Sequence, residues 1–288
     1  MWNENTIIMT EEIIVKPSDR SITKDVVFGH VMRDPKICLE LLQSILPQLN
    51  LKSVKEVTAQ RLIDAGLEEK SVRLDIMAED NEGRLFDIEM QVVRQEYIGK
   101  RIRYYQSKMD TLTLKLGMRY DEIKDTYIIF LCPYDPLYRN RTRYEFSARE
   151  DHDPSIKLET GAHWIFLNSK GEDKDINKGL QQFWDLMNGK IDISSTFIAR
   201  INKEIDNYVG SNEWNDDKVQ LQTKLQDSER KGIEIGKKQK AIEDLKDTIQ
   251  MLREDMGEND TTIFNIIKKR HHYDFSDEEI HQFIDETK

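Results

Sequence analysis

Between Ser71 and Val93 the chain alternates apolar and polar residues in two runs separated by a polar turn. Val72, Leu74, Ile76 and Ala78 interleave with Arg73, Asp75 and Met77. After Glu79–Gly83, Phe86, Ile88, Met90 and Val92 interleave with Asp87, Glu89 and Gln91. Period-two alternation broken by a glycine-bearing turn specifies a β-hairpin with one apolar and one polar face. With the turn centred near Glu82, the numbers of facing residues sum to 164. Asp75 then faces Glu89, Met77 faces Asp87 and Arg73 faces Gln91, with facing Cβ atoms about 5 Å apart. A slip of one residue would send one carboxylate to the apolar face. Two carboxylates side by side repel unless a cation lies between them, and a hard divalent ion such as Mg²⁺ takes oxygen sites of this kind. The plainer reading is a polar face that meets water, as one face of many antiparallel sheets does.

The 288 residues are 38% hydrophobic and 34% charged, which suits a globular core carrying charged helices. A net charge of −11 argues against a protein that coats nucleic acid by bulk electrostatics, but leaves room for a local basic groove. Cys38 and Cys132 each lie inside an apolar segment, as reduced buried thiols do. No basic-apolar leader pattern opens the sequence, and no apolar run approaches the roughly 20 residues of a membrane span. The expectation is a cytoplasmic protein with no membrane contact.

Residues 1–20 read as a variable lead-in, with Ile13–Val15 able to form a short edge strand. From Ile22 to Leu46 the pattern is helical, with Pro35 at the favoured first position of a second helix. Asp25 sits in the first turn of the first helix, where a carboxylate suits the helix dipole. Glu40, alone on an apolar helix, reads as a solvated residue. Leu51–Ile63 reads as a strand and leads into the hairpin. A strong amphipathic helix follows over Tyr97–Leu116, with Ile98, Ile102, Tyr105, Met109, Leu112 and Leu116 on one stripe. Between Arg94 and Arg119 there are seven Lys or Arg against two acids, an excess of +5 directly after the acidic hairpin. Arg101, Tyr104 and Lys108 share a helix face, and Arg73 precedes Asp75, so these four are the candidate phosphate-binding wall. A solvated helix face is the alternative. Tyr127–Cys132 is a continuous apolar run, a strand buried on both faces.

From about residue 191 the chain is helical and highly charged. Ile242, Leu245, Ile249, Leu252 and Met256 recur at three and four, as in a short coiled coil or a packed helix. Asp260 or Thr261 can cap the next helix, and Ser276 with Glu279 forms a capping box for the last. The expected division is 1–20 lead-in, 21–190 main domain, 191–257 charged helical segment and 258–288 a small helical pair.

Helix, strand, acidic hairpin, basic helix and buried strand make the order αβββαβ. With Asp75, thirteen intervening residues, then Glu89-Met90-Gln91, the chain resembles the PD-(D/E)XK restriction-endonuclease-like core, an α/β fold with a mixed sheet flanked by helices. More closely it resembles the Rpn family of recombination-promoting nucleases, a PD-(D/E)XK transposase family. The likeness rests on Asp25-Val26-Val27-Phe28, Val72-Arg73-Leu74-Asp75, Ile88-Glu89-Met90-Gln91, Arg101–Ser107 and Tyr127–Pro133. Gly232–Lys237 adds a similar tail, and the resemblance runs from about Ile22 to Lys240.

That resemblance implies cleavage of DNA phosphodiesters with Mg²⁺, or Mn²⁺ in its place, and a tie to recombination or mobile elements. It implies that Asp75 and Glu89 hold the metal, with the Met90 carbonyl a third candidate. Gln91 takes the catalytic position where the superfamily pattern has Lys. Being neutral, Gln91 can orient a water but offers no positive charge, so Arg73, Arg101 or Lys108 would supply it. The competing expectations are a catalytically inactive DNA-binding or assembly module that keeps the fold, and a structural protein whose C-terminal helices form a homo-oligomer.

Overall fold

The computed structural model describes residues 17–63, 71–173, 176–271 and 275–287, so the edge strand expected at Ile13–Val15 lies outside the described residues. Two helices come first, α1 (Asp25–Met32) and α2 (Pro35–Ile45). The second starts where Pro35 needs no amide partner and where the Asp34 carboxylate accepts from the Lys36 and Ile37 N–H groups. Such a cap is worth about 1 kcal/mol. Ile37, Cys38, Leu41, Leu42 and Ile45 then recur at helical spacing and are all buried.

The antiparallel meander β1 (Val54–Ile63), β2 (Val72–Asp80) and β3 (Leu85–Met90) follows. Asp80 fixes the β2–β3 turn: its Oδ1 accepts from the Glu82 and Arg84 amides, its Oδ2 from Arg84 Nε at 2.6 Å, and Gly83 takes the left-handed φ of +81°. The resulting pairs are Ile76–Ile88, Met77–Asp87, Ala78–Phe86 and Glu79–Leu85, so the numbers sum to 164 as the alternation requires. Helix α3 (Ile98–Thr113) carries the chain across to β4 (Thr126–Cys132), which lies parallel to β3. Parallel neighbours need such a crossover. Strands β5 (Arg143–Phe146) and β6 (Ala162–Asn168) complete a mixed sheet in the order β1-β2-β3-β4-β6-β5. Every residue of β4 is buried, as its unbroken apolar run demands.

One face of the sheet packs under α1, α2, α4 (Lys178–Met187) and α5 (Thr196–Val209), through Phe86, Ile88, Ile129, Leu131 and Ile165. The other packs under α3 through Leu85, Ile128, Phe130 and Phe166. Gln106 fastens α3 down, donating to Asp110 and Thr126 and accepting from Trp164 Nε1 at 3.2 Å. This is the αβββαβ mixed-sheet architecture, followed by a helical C-terminal region.

Two expectations are corrected. The apolar residues of β2 do not share one face: Ile76 and Ala78 pack with α1 and α2, whereas Val72 and Leu74 pack on the α3 side. The switch falls at Asp75, opposite Gln60, whose φ of 52° lies in the left-handed region. The polar face of β3 does not meet water either, because all six residues from Leu85 to Met90 are buried.

The chain divides into two units, one reaching to Trp214 and one from Asn215 onward. The 43-residue α6 (Asn212–Glu254) starts in the first and continues in the second. In the second unit Leu245, Ile249 and Leu252 of α6 pack with Ile263 and Ile267 of α7 (Asp260–His271) and with Ile280, Phe283 and Ile284 of α8 (Asp277–Glu286). Their three-and-four repeat is therefore a packed helix face, with Met256 left 65% exposed. Asn259, rather than Asp260 or Thr261, caps α7 by accepting from the Thr262 amide, and the Ser276–Glu279 capping box forms as expected. Among the described residues no helix is long and apolar enough to cross a membrane.

Candidate active site

The β2–β3 ladder stops at Ile76–Ile88; beyond it β2 stays with β1 and β3 stays with β4. Arg73 and Gln91 therefore do not pair, and the two central strands fork. At the fork side chains replace the missing backbone rungs. The Asp75 N–H donates to Glu89 Oε1 at 3.0 Å, and the Met90 N–H donates to Asp75 Oδ2 at 3.1 Å. Each carboxylate is held by the other strand, so Asp75 and Glu89 are fixed side by side without a backbone bond between their residues.

Arg101, on the first turns of α3, reaches into the fork. Its Nη2 donates to Glu89 Oε2 at 2.5 Å, and its Nη1 donates to Gln91 Oε1 at 2.7 Å and Gln95 Oε1 at 2.8 Å. The guanidinium lies over the Tyr105 and Phe130 rings, 4.7 and 5.6 Å from their centroids. Gln91 in turn donates to the Val93 carbonyl, so its amide is engaged on both sides. An open depression of about 370 Å³ brings together Asp25, Asp75, Glu89, Gln91, Gln95 and Arg101.

Asp25, Asp75, Asp87 and Glu89 crowd together, with Arg101 on Glu89 and Arg73 on Asp25, and the crowding raises proton affinity. Burial, then the charges of Glu89 and Asp25, push the Asp75 carboxyl up to about 7, against the pull of the Met90 amide and Arg101. Burial also raises Glu89, while Arg101 and the Asp75 amide lower it. Asp87, fully buried on β3, is raised well above the usual carboxylate range by burial and by Glu89 and Asp75. Neither of its oxygens meets a donor. Asp87 can bond the Glu89 carboxylate only by carrying the proton itself, and a neutral Asp87 fits its surroundings.

The donors at the fork are oxygens, the chemistry of a hard divalent cation. Asp75 and Glu89 are the pair that could hold one, with water and substrate completing the shell. Among the described residues no group of three or more His, Cys, Asp or Glu is arranged as a metal cage.

Asp75, Glu89, Gln91 and Arg101 thus converge. Arg73 turns toward α1 and pairs with Asp25 at 3.6 Å. Arg73, Arg101 and Tyr104 share an adjoining depression of about 650 Å³, while Lys108 sits one turn further along α3, its Nζ 5.2 Å from the Tyr104 ring centroid. Glu40 pairs with Arg200 at 2.8 Å, away from the fork. Sequence reasoning gave Asp25 only a helix-dipole role, gave Asp87 none beyond facing Met77, and passed over Gln95. The parity of Asp87 with Glu89 on β3 was the signal that could have found it.

A family model for PD-(D/E)XK nuclease family transposases matches residues 25–189, a span that starts at Asp25 and contains the whole fork. Searches of curated proteins and of solved structures returned no match.

Proposed function

Because the chain belongs to the PD-(D/E)XK nuclease family transposases, we propose that it hydrolyses DNA phosphodiester bonds as a divalent-metal-dependent endonuclease, with Asp75 and Glu89 as the metal-holding pair. The crossed carboxylate–amide bonds at the fork carry this reading, since they hold buried Glu89 and half-buried Asp75 together where repulsion would otherwise part them. When bound, Mg²⁺, or Mn²⁺ in its place, polarises the phosphate and lowers the pKa of the attacking water.

The protein's own groups do the rest. Arg101 supplies the positive charge that neutral Gln91 lacks, and Gln91 orients the guanidinium from its other side. Asp87, whose carboxyl burial pushes toward the neutral form, bonds Glu89 from the same strand. Arg73, Lys100 and Tyr104, with Lys108 beyond them on α3, form the wall along which DNA phosphates lie. The protein acts in the cytoplasm, tied to recombination or mobile elements, and copies meet through the C-terminal helices. A second reading, an inactive DNA-binding module, has one observation in its favour: Arg101 pairs with Glu89, one of the two acids that would hold the ion.

The test is plasmid nicking by wild type, Asp75→Ala and Glu89→Ala in Mg²⁺, Mn²⁺, Ca²⁺ and chelator. The expected result is cleavage in Mg²⁺ or Mn²⁺ that either substitution or the chelator abolishes. Cleavage that survives both substitutions sinks the assignment; retardation of DNA without cleavage moves it to the inactive module.

A further inference from the structure

Three depressions meet at Gln95. One holds Asp75 and Glu89; the second is the cationic wall of Arg73 and Lys100. The third, about 440 Å³, is a cleft between the segment after β3 and the loop after β4, built on Arg94, Tyr134 and Tyr138. The Arg94 guanidinium carbon lies 4.8 Å from the Tyr134 ring centroid and 4.2 Å from that of Tyr138. The Tyr134 hydroxyl donates to the Val93 carbonyl at 3.0 Å, tying this cleft to the segment that carries Gln91.

Tyr134 packs partly against the core under α3, but the fold gives no packing reason for Tyr138 or Arg94 to stack on it. Tyr138 is 73% exposed, and Tyr97, on the neighbouring wall, is 70% exposed. Both have left-handed backbones, with φ of 57° and 60°, a conformation that is costly for a bulky residue. Arg94 is exposed and makes no ion pair among the described residues. Two strained, solvent-facing tyrosines thus flank the carboxylate fork, one of them stacked with an exposed cation. An acidic ligand would meet Glu96 at the cleft, and a cationic one would meet Arg94. A flat neutral ring suits both, and aromatic–arginine surfaces stack nucleobases in this way. A base inside an intact duplex has both faces covered by its neighbours; only an unpaired or extruded base can offer one.

We propose that the Arg94–Tyr134–Tyr138 cleft is a stacking subsite for an unpaired base in the same strand as the phosphate at Asp75 and Glu89. The preferred substrate class is then DNA with a single-stranded or flipped nucleotide beside the scissile bond. This rests on the nuclease reading for its phosphate position, while the stacking itself is measured without cleavage.

The experiment uses full-length protein in chelator with three DNAs: a single strand, a blunt duplex, and a duplex with a single-stranded extension, the unpaired region of the first and last carrying 2-aminopurine. Wild type should quench the unpaired 2-aminopurine. Tyr138→Ala and Arg94→Ala should lose the quench and weaken binding to unpaired DNA about tenfold, as loss of one stacking contact does. Blunt-duplex binding should change less than twofold, and Tyr138→Phe should behave as wild type, with unchanged melting temperatures showing that all variants are folded. Equal losses on blunt and unpaired DNA, or no loss on either, overturn the subsite. If wild type nicks plasmid in Mg²⁺ yet Tyr138→Ala binds normally, the subsite fails and the nuclease stands. If Tyr138-dependent stacking is present without cleavage in Mg²⁺ or Mn²⁺, the nuclease fails and the stacking site stands. Absence of all DNA binding overturns both.

Discussion

Gln60 and Asp75 are the one pair missing from the β1–β2 ladder between Glu56 and Ile63. The register is the same on either side of the gap, yet the apolar residues change faces across it, from the α1–α2 core to the α3 core. The left-handed Gln60 makes that turn-over, and it delivers Asp75 into the fork. A left-handed non-glycine residue costs roughly 1–2 kcal/mol. Gln60→Gly should therefore hold or raise the melting temperature. Gln60→Val, β-branched at positive φ, should lower it and should also weaken metal-dependent cleavage, because Asp75 moves with the strand. Thermal melts beside nicking assays check both, and a Gln60→Val protein as stable as wild type would refute the strain.

The same pair shows where the sequence stops being legible. Alternation and the Glu79–Gly83 turn were enough for the hairpin register, because a one-residue slip would expose a whole apolar row. Alternation could not show the face switch, since Val72, Leu74, Ile76 and Ala78 are buried whichever core receives them. Asp25 was hidden for a different reason. The start of a helix explains an acid locally, and only the packing of α1 against β2 brings that acid to the fork. Asp87 looked like surface because strand patterning cannot tell a face covered by α3 from one that meets water.

Arg101 is the cation paired with Glu89 in a site where that carboxyl is 2% exposed. Removing one partner of a buried pair typically costs about 3–5 kcal/mol, or the orphaned group takes up a proton instead. In Arg101→Met the Glu89 pKa should rise further, because the guanidinium is the strongest influence lowering it. A carboxyl whose folded pKa lies above its unfolded value binds more protons when folded, so stability falls as pH rises. Melting curves of Arg101→Met should sit close to wild type near pH 4.5 and well below it near pH 8. Cleavage should drop at least a hundredfold. Parallel pH–stability curves for the two proteins would contradict the pairing.

Asp75 sets a second pH window. Its carboxyl rises from the usual 3.8 to about 7, so the metal-free protein should lose stability as pH climbs between those values. Asp75→Asn should flatten that slope and melt higher than wild type at pH 8 in chelator. Asp87→Asn should melt at or above wild type there too, since a buried carboxyl without a donor is replaced by an amide of the same shape. Mg²⁺ or Mn²⁺ should lift the wild-type melting temperature at pH 8, do so less at pH 5.5 where Asp75 holds its proton, and leave Asp75→Asn unmoved. A metal-induced shift of the same size in wild type and Asp75→Asn would place the ion elsewhere.

The boundary between the two units makes the last prediction. Trp214 is 2% exposed and packs edge-on to Tyr208, its ring centroid 5.5 Å away, while Glu213 pairs with Arg33 at 2.7 Å. Both residues lie in the first turn of α6; Trp214 belongs to the core that α1 and α5 cover, and Glu213 makes its ion pair at the surface. A chain ending at Gln222 keeps them and should melt within about 2 °C of the first unit's transition in the full chain, because that unit's core extends no further than Trp214. A chain ending at Ser211 loses the indole, a large buried ring whose removal costs about 3–5 kcal/mol, and should melt roughly 10 °C lower. Beyond Gln222, α6 leaves Leu225, Ile233 and Ile235 exposed among the described residues. Light scattering should therefore show the full chain associated and the Gln222-terminated chain monomeric. Monomers in both cases would remove the C-terminal helices as the meeting point and leave the exposed stretch of α6 to a different partner.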